Sequence, residues 1–177
     1  NPEMPLRDAL THAAVTHAAS ITALGQTFRP AGEILDERAY VNGIVGLMAT
    51  GGSTNLVLHL PAMARASGII LALQDSADLS DVVPLMAQGY PHGLADVNHF
   101  HAAGGLQFLI NELLDAGLLH GDAMTIMGNS LTAYRQEATL EGGTLGWRQG
   151  PTTTLNDKIL RPVADPFAQQ GGLKQLQ

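Results

Sequence analysis

The sequence contains no cysteine among its 177 residues, and this absence excludes several kinds of chemistry. Without thiols, the chain alone can form no disulfide, no thiolate nucleophile and no cysteine-ligated zinc or iron–sulfur site. Charged residues are also scarce, at 14% of the chain, against ~25% in typical globular domains. This scarcity predicts a surface that partly faces protein rather than water, although a compact alanine-rich monomer explains the composition equally well.

Positive charge is sparse and scattered, with 9 Lys and Arg against 16 Asp and Glu and a net charge of −7. The sequence therefore offers no cationic face for nucleic acid, and its acidic balance disfavours an anionic membrane surface. No apolar run approaches the ~20 residues that span a bilayer. The first residues include neither an initiator Met nor a signal-peptide pattern. These features predict a cytoplasmic protein with no nucleic-acid or membrane partner.

Apolar spacing, caps and glycine stops predict an α/β fold that is rich in helices and has a small sheet. Helices are predicted over residues 5–24, 36–50, 54–68, 78–88, 96–101, 105–116 and 131–137. Strands are predicted over residues 69–73 and 144–148. Residues 1–140 are expected to form the helix-rich part, and residues 141–177 a loop-rich segment. Trp147 is expected to be a core or interface aromatic.

The strongest local motif is Thr50-Gly51-Gly52-Ser53-Thr54-Asn55. Two glycines allow a backbone to approach a ligand closely, and the helix start that follows offers unpaired N–H groups. Such a loop suits a phosphate or a carboxylate, but it lacks the lysine of a P-loop. A glycine-assisted turn with a Ser or Thr helix cap is the alternative interpretation.

A second motif gathers His92, Asp96, Asn98, His99 and His101 within ten positions. Side chains of these types could form a substrate wall or a general acid/base pair. A metal site is disfavoured because His99 and His101 lie two residues apart, which separates them around a helix. The alternative is a set of helix caps and surface histidines, with Asp96 as a cap.

Several segments together resemble the family of iron–sulfur dihydroxy-acid and sugar-acid dehydratases. The resemblance spans nearly the whole chain and rests on three blocks. These blocks are Ala49 to Asn55 continuing to Leu58-His59-Leu60; Asp96-Val97 with Ala103-Gly104-Gly105, Glu112-Leu113 and Ala116-Gly117-Leu118-Leu119; and Gly171-Gly172-Leu173.

Finer features are similar to the branch of this family that acts on 6-phosphogluconate. They are Pro5-Leu6-Arg7-Asp8-Ala9-Leu10-Thr11-His12, Asp36-Glu37-Arg38, Asp78 to Pro84, Tyr90-Pro91-His92-Gly93 and Asp96-Val97-Asn98-His99-Phe100. The resemblance implies a lyase of the Entner–Doudoroff route that dehydrates 6-phospho-D-gluconate to 2-dehydro-3-deoxy-6-phosphogluconate. It also implies a homodimer with a [4Fe–4S] cluster and leaves room for a divalent cation such as Mg²⁺, neither of them bound by this chain's own residues.

In such enzymes the cluster cysteines precede this region, and a C-terminal domain is expected after Leu173. The resemblance thus places the chain in the second half of the N-terminal domain, as an internal segment expected to be inactive by itself. It assigns no catalytic base here. Substrate contacts are expected first at Gly51, Gly52, Ser53, Thr54 and Asn55, and second at Asn98 and His99. The alternatives are a related dihydroxy-acid or sugar-acid dehydratase, or a non-catalytic sugar-phosphate-binding or structural module.

Overall fold

The computed structural model describes residues 4–90 and 92–174, and within these ranges helices dominate. They are α1 (Pro5–Ser20), α2 (Ala31–Ile34), α3 (Glu37–Thr50), α4 (Asn55–Ala66), α5 (Leu73–Val82), α6 (Val97–Ala102) and α7 (Gly105–Asp115), followed by a short 3₁₀ helix (Leu131–Arg135). Strands β1 (Gln136–Glu141) and β2 (Thr144–Gln149) form an antiparallel hairpin. The predicted helix-rich α/β fold with a small sheet is confirmed. Within the described ranges, no helix has the length and apolarity to cross a bilayer.

Helices α3 and α7 supply most of the core. Ile44 of α3 and Phe108 of α7 are almost completely buried. The same cluster includes Met86 and Leu160, which come from extended segments distant in sequence. Apolar residues on α3 recur at helical spacing, and the face that they form is the one buried here. The core therefore holds the C-terminal end of α3 firmly, and the first predicted motif begins at that end.

Helix α3 begins and ends as its sequence predicts. The Asp36 carboxylate accepts a hydrogen bond from the Ala39 N–H at 2.9 Å and pairs with Arg38 at 2.7 Å. Burial works to raise the pKa of this carboxyl, but the hydrogen bonds from Ala39 and Arg38 outweigh it and hold the pKa below its ordinary value. Gly51 ends the helix in the left-handed conformation, with φ of 58°.

Two predicted elements are wrong. Residues 69–72 form no strand, and α5 begins at Leu73, where the Asp75 carboxylate accepts a hydrogen bond from the Ala72 N–H. The predicted helix over 78–88 ends at Val82 because Pro84 cannot continue it. Residues 85–89 are instead extended, and they pair with the distant Leu160 and Ala168 through isolated bridges.

The hairpin lies at the periphery with α1, which packs against it and buries none of its own residues. Gly142 and Gly143 both have positive φ, as a tight two-residue hairpin turn requires. The strand predicted over 144–148 is confirmed, whereas β1 replaces the end of the helix predicted over 131–137. Trp147 on β2 is half-exposed and is not a core residue, so its expected place at an interface stays a prediction.

Candidate functional site

The glycine-containing motif forms a short connection between α3 and α4, which we call the 51–55 loop (Gly51, Gly52, Ser53, Thr54 and Asn55). Ser53, Thr54 and Asn55 are exposed, and Ser53 Oγ accepts a weak hydrogen bond of 3.3 Å from the Asn55 N–H. Among the described residues, the backbone N–H groups of Ser53 and Thr54 have no acceptor. They lie at the electropositive start of α4, so the loop presents free donors and hydroxyls to solvent.

The carbonyl groups at the end of α3 anchor this loop. The Leu47 carbonyl accepts from the N–H groups of both loop glycines. The next carbonyl, of Met48, accepts from the Gly172 N–H at 2.9 Å, and that of Ala49 accepts from the Met86 N–H at 2.7 Å. Carbonyls at a helix C-terminus lack partners within the helix, and here two distant segments supply them. The first residues of the loop are therefore held in place by hydrogen bonds to the end of α3, which is itself bonded to two distant segments.

A cavity of about 640 Å³ lies at the end of α3, next to Thr50, and the residues of the 51–55 loop are not among those that line it. Its lining residues are Thr50, Ala87, Gly89, Tyr90, Ala95, Asp96, Val97, Phe100, His101, Gly105, Leu106 and Gln107. The lining is largely apolar, with a few polar groups, as is usual for small-molecule sites. Thr50 directly precedes the 51–55 loop, and Asp96 and His101 belong to the second motif. The structure thus brings parts of both predicted motifs to one cavity.

The second motif is divided between this cavity and a helix cap. Asp96 and His99 cap α6 reciprocally: Asp96 Oδ1 accepts from the His99 N–H at 2.9 Å, and His99 Nδ1 accepts from the Asp96 N–H at 3.2 Å. The hydrogen bond from the His99 N–H, with a smaller contribution from Asn98, holds the pKa of the Asp96 carboxyl below its ordinary value. The geometry supports a capping role for Asp96. Asn98 and His99 are exposed and are not among the cavity-lining residues, so their substrate role stays a prediction.

His92 belongs to the site more closely than its sequence position indicates. A Cβ placed on Gly51 would lie 3.1 Å from His92 Cδ2, so the imidazole lies directly over the loop backbone. His92 itself is exposed. Sequence spacing alone could not relate His92 to the loop, because the two are joined through the fold of the segment that follows α5.

The donor set of the chain does not fit an iron–sulfur cluster. The 177 residues contain no cysteine to supply thiolates. Within residues 4–90 and 92–174, no three His, Asp or Glu side chains converge as a metal site would require. A cluster of the kind implied by the resemblance could not be held by these residues alone.

Comparison with known proteins relates this site to one family. The family model for the dihydroxy-acid/6-phosphogluconate dehydratase N-terminal domain matches residues 1–134. The phosphogluconate dehydratase of Rhizobium meliloti is 56% identical over 99% of the chain, and that of Pseudomonas aeruginosa is 51% identical over all of it. A dihydroxy-acid dehydratase from Caldanaerobacter subterraneus is 36% identical over 80% of the chain.

The chain spans 29% of the length of the two phosphogluconate dehydratases, and 23% of the dihydroxy-acid dehydratase. The matched residues contain the 51–55 loop, the α6 cap and the polar residues that line the cavity. The expected family is therefore confirmed: the chain belongs to the dihydroxy-acid/6-phosphogluconate dehydratase family, and its residues 1–134 match the N-terminal domain of that family.

Proposed function

We propose that these 177 residues are part of a phosphogluconate dehydratase. The observation that carries the proposal is the gap in identity between the two branches of the family. Relatives named phosphogluconate dehydratase are 44% to 56% identical over 99% of the chain or more, whereas the dihydroxy-acid dehydratase is 36% identical over 80% of it. A substrate site changes with its substrate, so the branch of higher identity is the better guide to the reaction.

The proposed reaction removes water from 6-phospho-D-gluconate. A base takes the proton from C2, beside the carboxylate, while the C3–O bond breaks and the hydroxyl leaves as water after gaining a proton. The resulting enol becomes a ketone, which yields 2-dehydro-3-deoxy-6-phosphogluconate. We assign no residue of this chain as the base, since Asp96, the carboxyl group that lines the cavity, is engaged in capping α6.

The part that this chain takes in the reaction is to bind one end of the substrate. The substrate carries a carboxylate and a phosphate, and both groups accept hydrogen bonds. The free N–H groups of Ser53 and Thr54, with the side chains of Ser53, Thr54 and Asn55, form a cluster of donors at the start of α4. We propose that the 51–55 loop binds one of the two anions, with Asn98 and His99 as secondary contacts.

The rest of the enzyme would complete the site. Because the chain has no cysteine, an iron–sulfur cluster in the proposed enzyme would take its ligands from residues outside these 177. A divalent cation such as Mg²⁺ would be a further cofactor beside the cluster. We propose a homodimeric, cytoplasmic enzyme, in agreement with family membership and with an acidic chain that is poor in charged residues.

Substrate preference tests the proposal. The full-length protein is assayed for 2-keto acid formation from 6-phospho-D-gluconate and from a 2,3-dihydroxy acid without phosphate. We expect kcat/KM to favour the phosphorylated substrate by at least about tenfold, because a site built to pair a polar group rejects analogues that lack it. A preference for the unphosphorylated acid would place the protein in the dihydroxy-acid branch, and turnover of neither acid would contradict the proposal.

A further inference from the structure

Residues 166–173 form a strap that ties α5 to the end of α3. Ala168 pairs with Leu85, and the Gly171 N–H donates to the Ser80 carbonyl of α5 at 2.7 Å. The hydroxyl of the buried Ser80 in turn donates to the Leu173 carbonyl at 2.6 Å. These bonds hold the strap from both sides of Gly172.

Gly172 lies directly against the backbone of Gly51. A Cβ added to Gly172 would lie 2.4 Å from Gly51 Cα, 3.0 Å from Gly51 N and 3.0 Å from Leu85 Cδ1. Two of these three atoms belong to the main chain, so rotation of a side chain cannot relieve the clash. The Gly172 N–H also donates to the Met48 carbonyl at 2.9 Å, which fixes its distance from the last turn of α3.

Gly51 has little freedom to retreat from such a clash. Its φ of 58° already places it in the left-handed region, and its N–H is bonded to the Leu47 carbonyl. The Leu85 and His92 side chains also lie close to Gly51, since each has an atom 3.1 Å from the position of a Cβ placed there. A side chain at Gly172 that displaces Gly51 would therefore also displace the residues that follow it, Ser53, Thr54 and Asn55, which are exposed to solvent.

We infer that Gly172 is a positioning residue for the substrate-facing 51–55 loop, although 121 positions separate it from Gly51. This inference rests on the proposed function of the loop. Gly172 does not itself contact the substrate. Because it has no side chain, its backbone can lie against that of Gly51, and this contact fixes the position of the hydrogen-bond donors at the start of α4. The strap thus couples residues 166–173 to the site.

The test compares Gly172→Ala with Gly32→Ala in the full-length enzyme. Gly32 is the matched control because a Cβ there meets nothing within 4 Å. For Gly172→Ala we expect KM for 6-phosphogluconate to rise at least about tenfold, since a displacement of about 1 Å at a site can cost on the order of 10²-fold. We expect a smaller change in kcat, because a displaced binding group weakens ground state and transition state together. Gly32→Ala should match wild type in both constants.

Ser80→Ala provides a second variant that adds no atoms and loosens the strap by removing the bond to the Leu173 carbonyl. We expect a smaller rise in KM in the same direction. If Gly172→Ala does not fold, Ser80→Ala decides: an unchanged KM overturns the inference. A folded Gly172→Ala that loses thermal stability but keeps the wild-type KM also overturns it. Wild-type enzyme that fails to turn over 6-phosphogluconate contradicts the proposed function itself, before any variant is compared, and the inference falls with it.

Discussion

Asp96 and His99 each accept a hydrogen bond from the backbone N–H of the other, so the two residues close the first turn of α6 between them. Because the pKa of Asp96 is lowered in the folded protein, its charge stabilises the fold above the carboxyl's ordinary pKa of about 4. That contribution disappears as the pH falls through the lowered value.

The cap predicts that the loss of thermal stability in Asp96→Ala, relative to wild type, depends on pH. Asp96→Ala should lower the unfolding temperature at pH 7, whereas Asp96→Asn should stay close to wild type because asparagine also caps helices well. The difference between wild type and Asp96→Ala should narrow below about pH 4. Thermal unfolding followed by circular dichroism from pH 3 to pH 7 measures both effects. An Asp96→Ala variant as stable as wild type at pH 7 would show that the cap contributes nothing.

Phe108 and Leu106 provide a matched pair on α7 that tests the core. Phe108 is 1% exposed and belongs to the central cluster, whereas Leu106 is 56% exposed and lies at the cavity. Phe108→Ala should lower the free energy of unfolding by about 3–5 kcal/mol, and Leu106→Ala by less than about 1 kcal/mol. Denaturant titration of the two variants checks the ranking. Equal losses would contradict the burial seen here.

The elements that the sequence predicts correctly are those whose determinants are local. The start of α3 follows from the carboxylate of Asp36 and its end from Gly51, whose missing side chain permits a left-handed turn. Helix α6 follows in the same way from Asp96. In each case the capping group and the group that it satisfies lie within four residues of each other.

Predictions from the sequence are wrong or missing where the structure of a segment depends on contacts with residues distant in sequence. Residues 69–73 read as a buried strand because they are apolar, yet Ile70 is 79% exposed and no strand lies beside it in the described chain. The extended course of residues 85–89 depends on Leu160 and Ala168, more than 70 positions away. The contact between Gly51 and Gly172 was likewise invisible, since two glycine pairs carry no signal that they touch.

In the candidate site, too, the local features could be predicted from the sequence and the features that depend on distant contacts could not. The donors of the 51–55 loop could be named from the sequence because a glycine pair and a helix start are local features. The cavity beside it could not, since it joins Thr50 to residues 87–107 through the fold. The sequence predicts a substrate contact at His99, and the structure adds that its imidazole accepts a hydrogen bond at the start of its own helix, from the Asp96 N–H.

The absence of cysteine leads to a prediction for the 177-residue chain on its own. Incubated with iron and sulfide under reducing conditions, it should acquire no iron–sulfur absorption band, and it should form no 2-keto acid from 6-phosphogluconate. The full-length protein treated in the same way serves as the control. Cluster formation or turnover by the short chain would contradict this account of where the ligands lie.

The central claim is that the 51–55 loop binds one of the anionic groups of 6-phosphogluconate. Calorimetric titration of the full-length protein tests it most directly, with Ser53, Thr54 and Asn55 replaced together by alanine. The control replaces the exposed Thr152 and Thr153 by alanine. Loss of charge-assisted hydrogen bonds should raise the Kd by at least about tenfold, or ~1.4 kcal/mol, while the control should match wild type. Tight binding that survives the triple replacement would contradict the account.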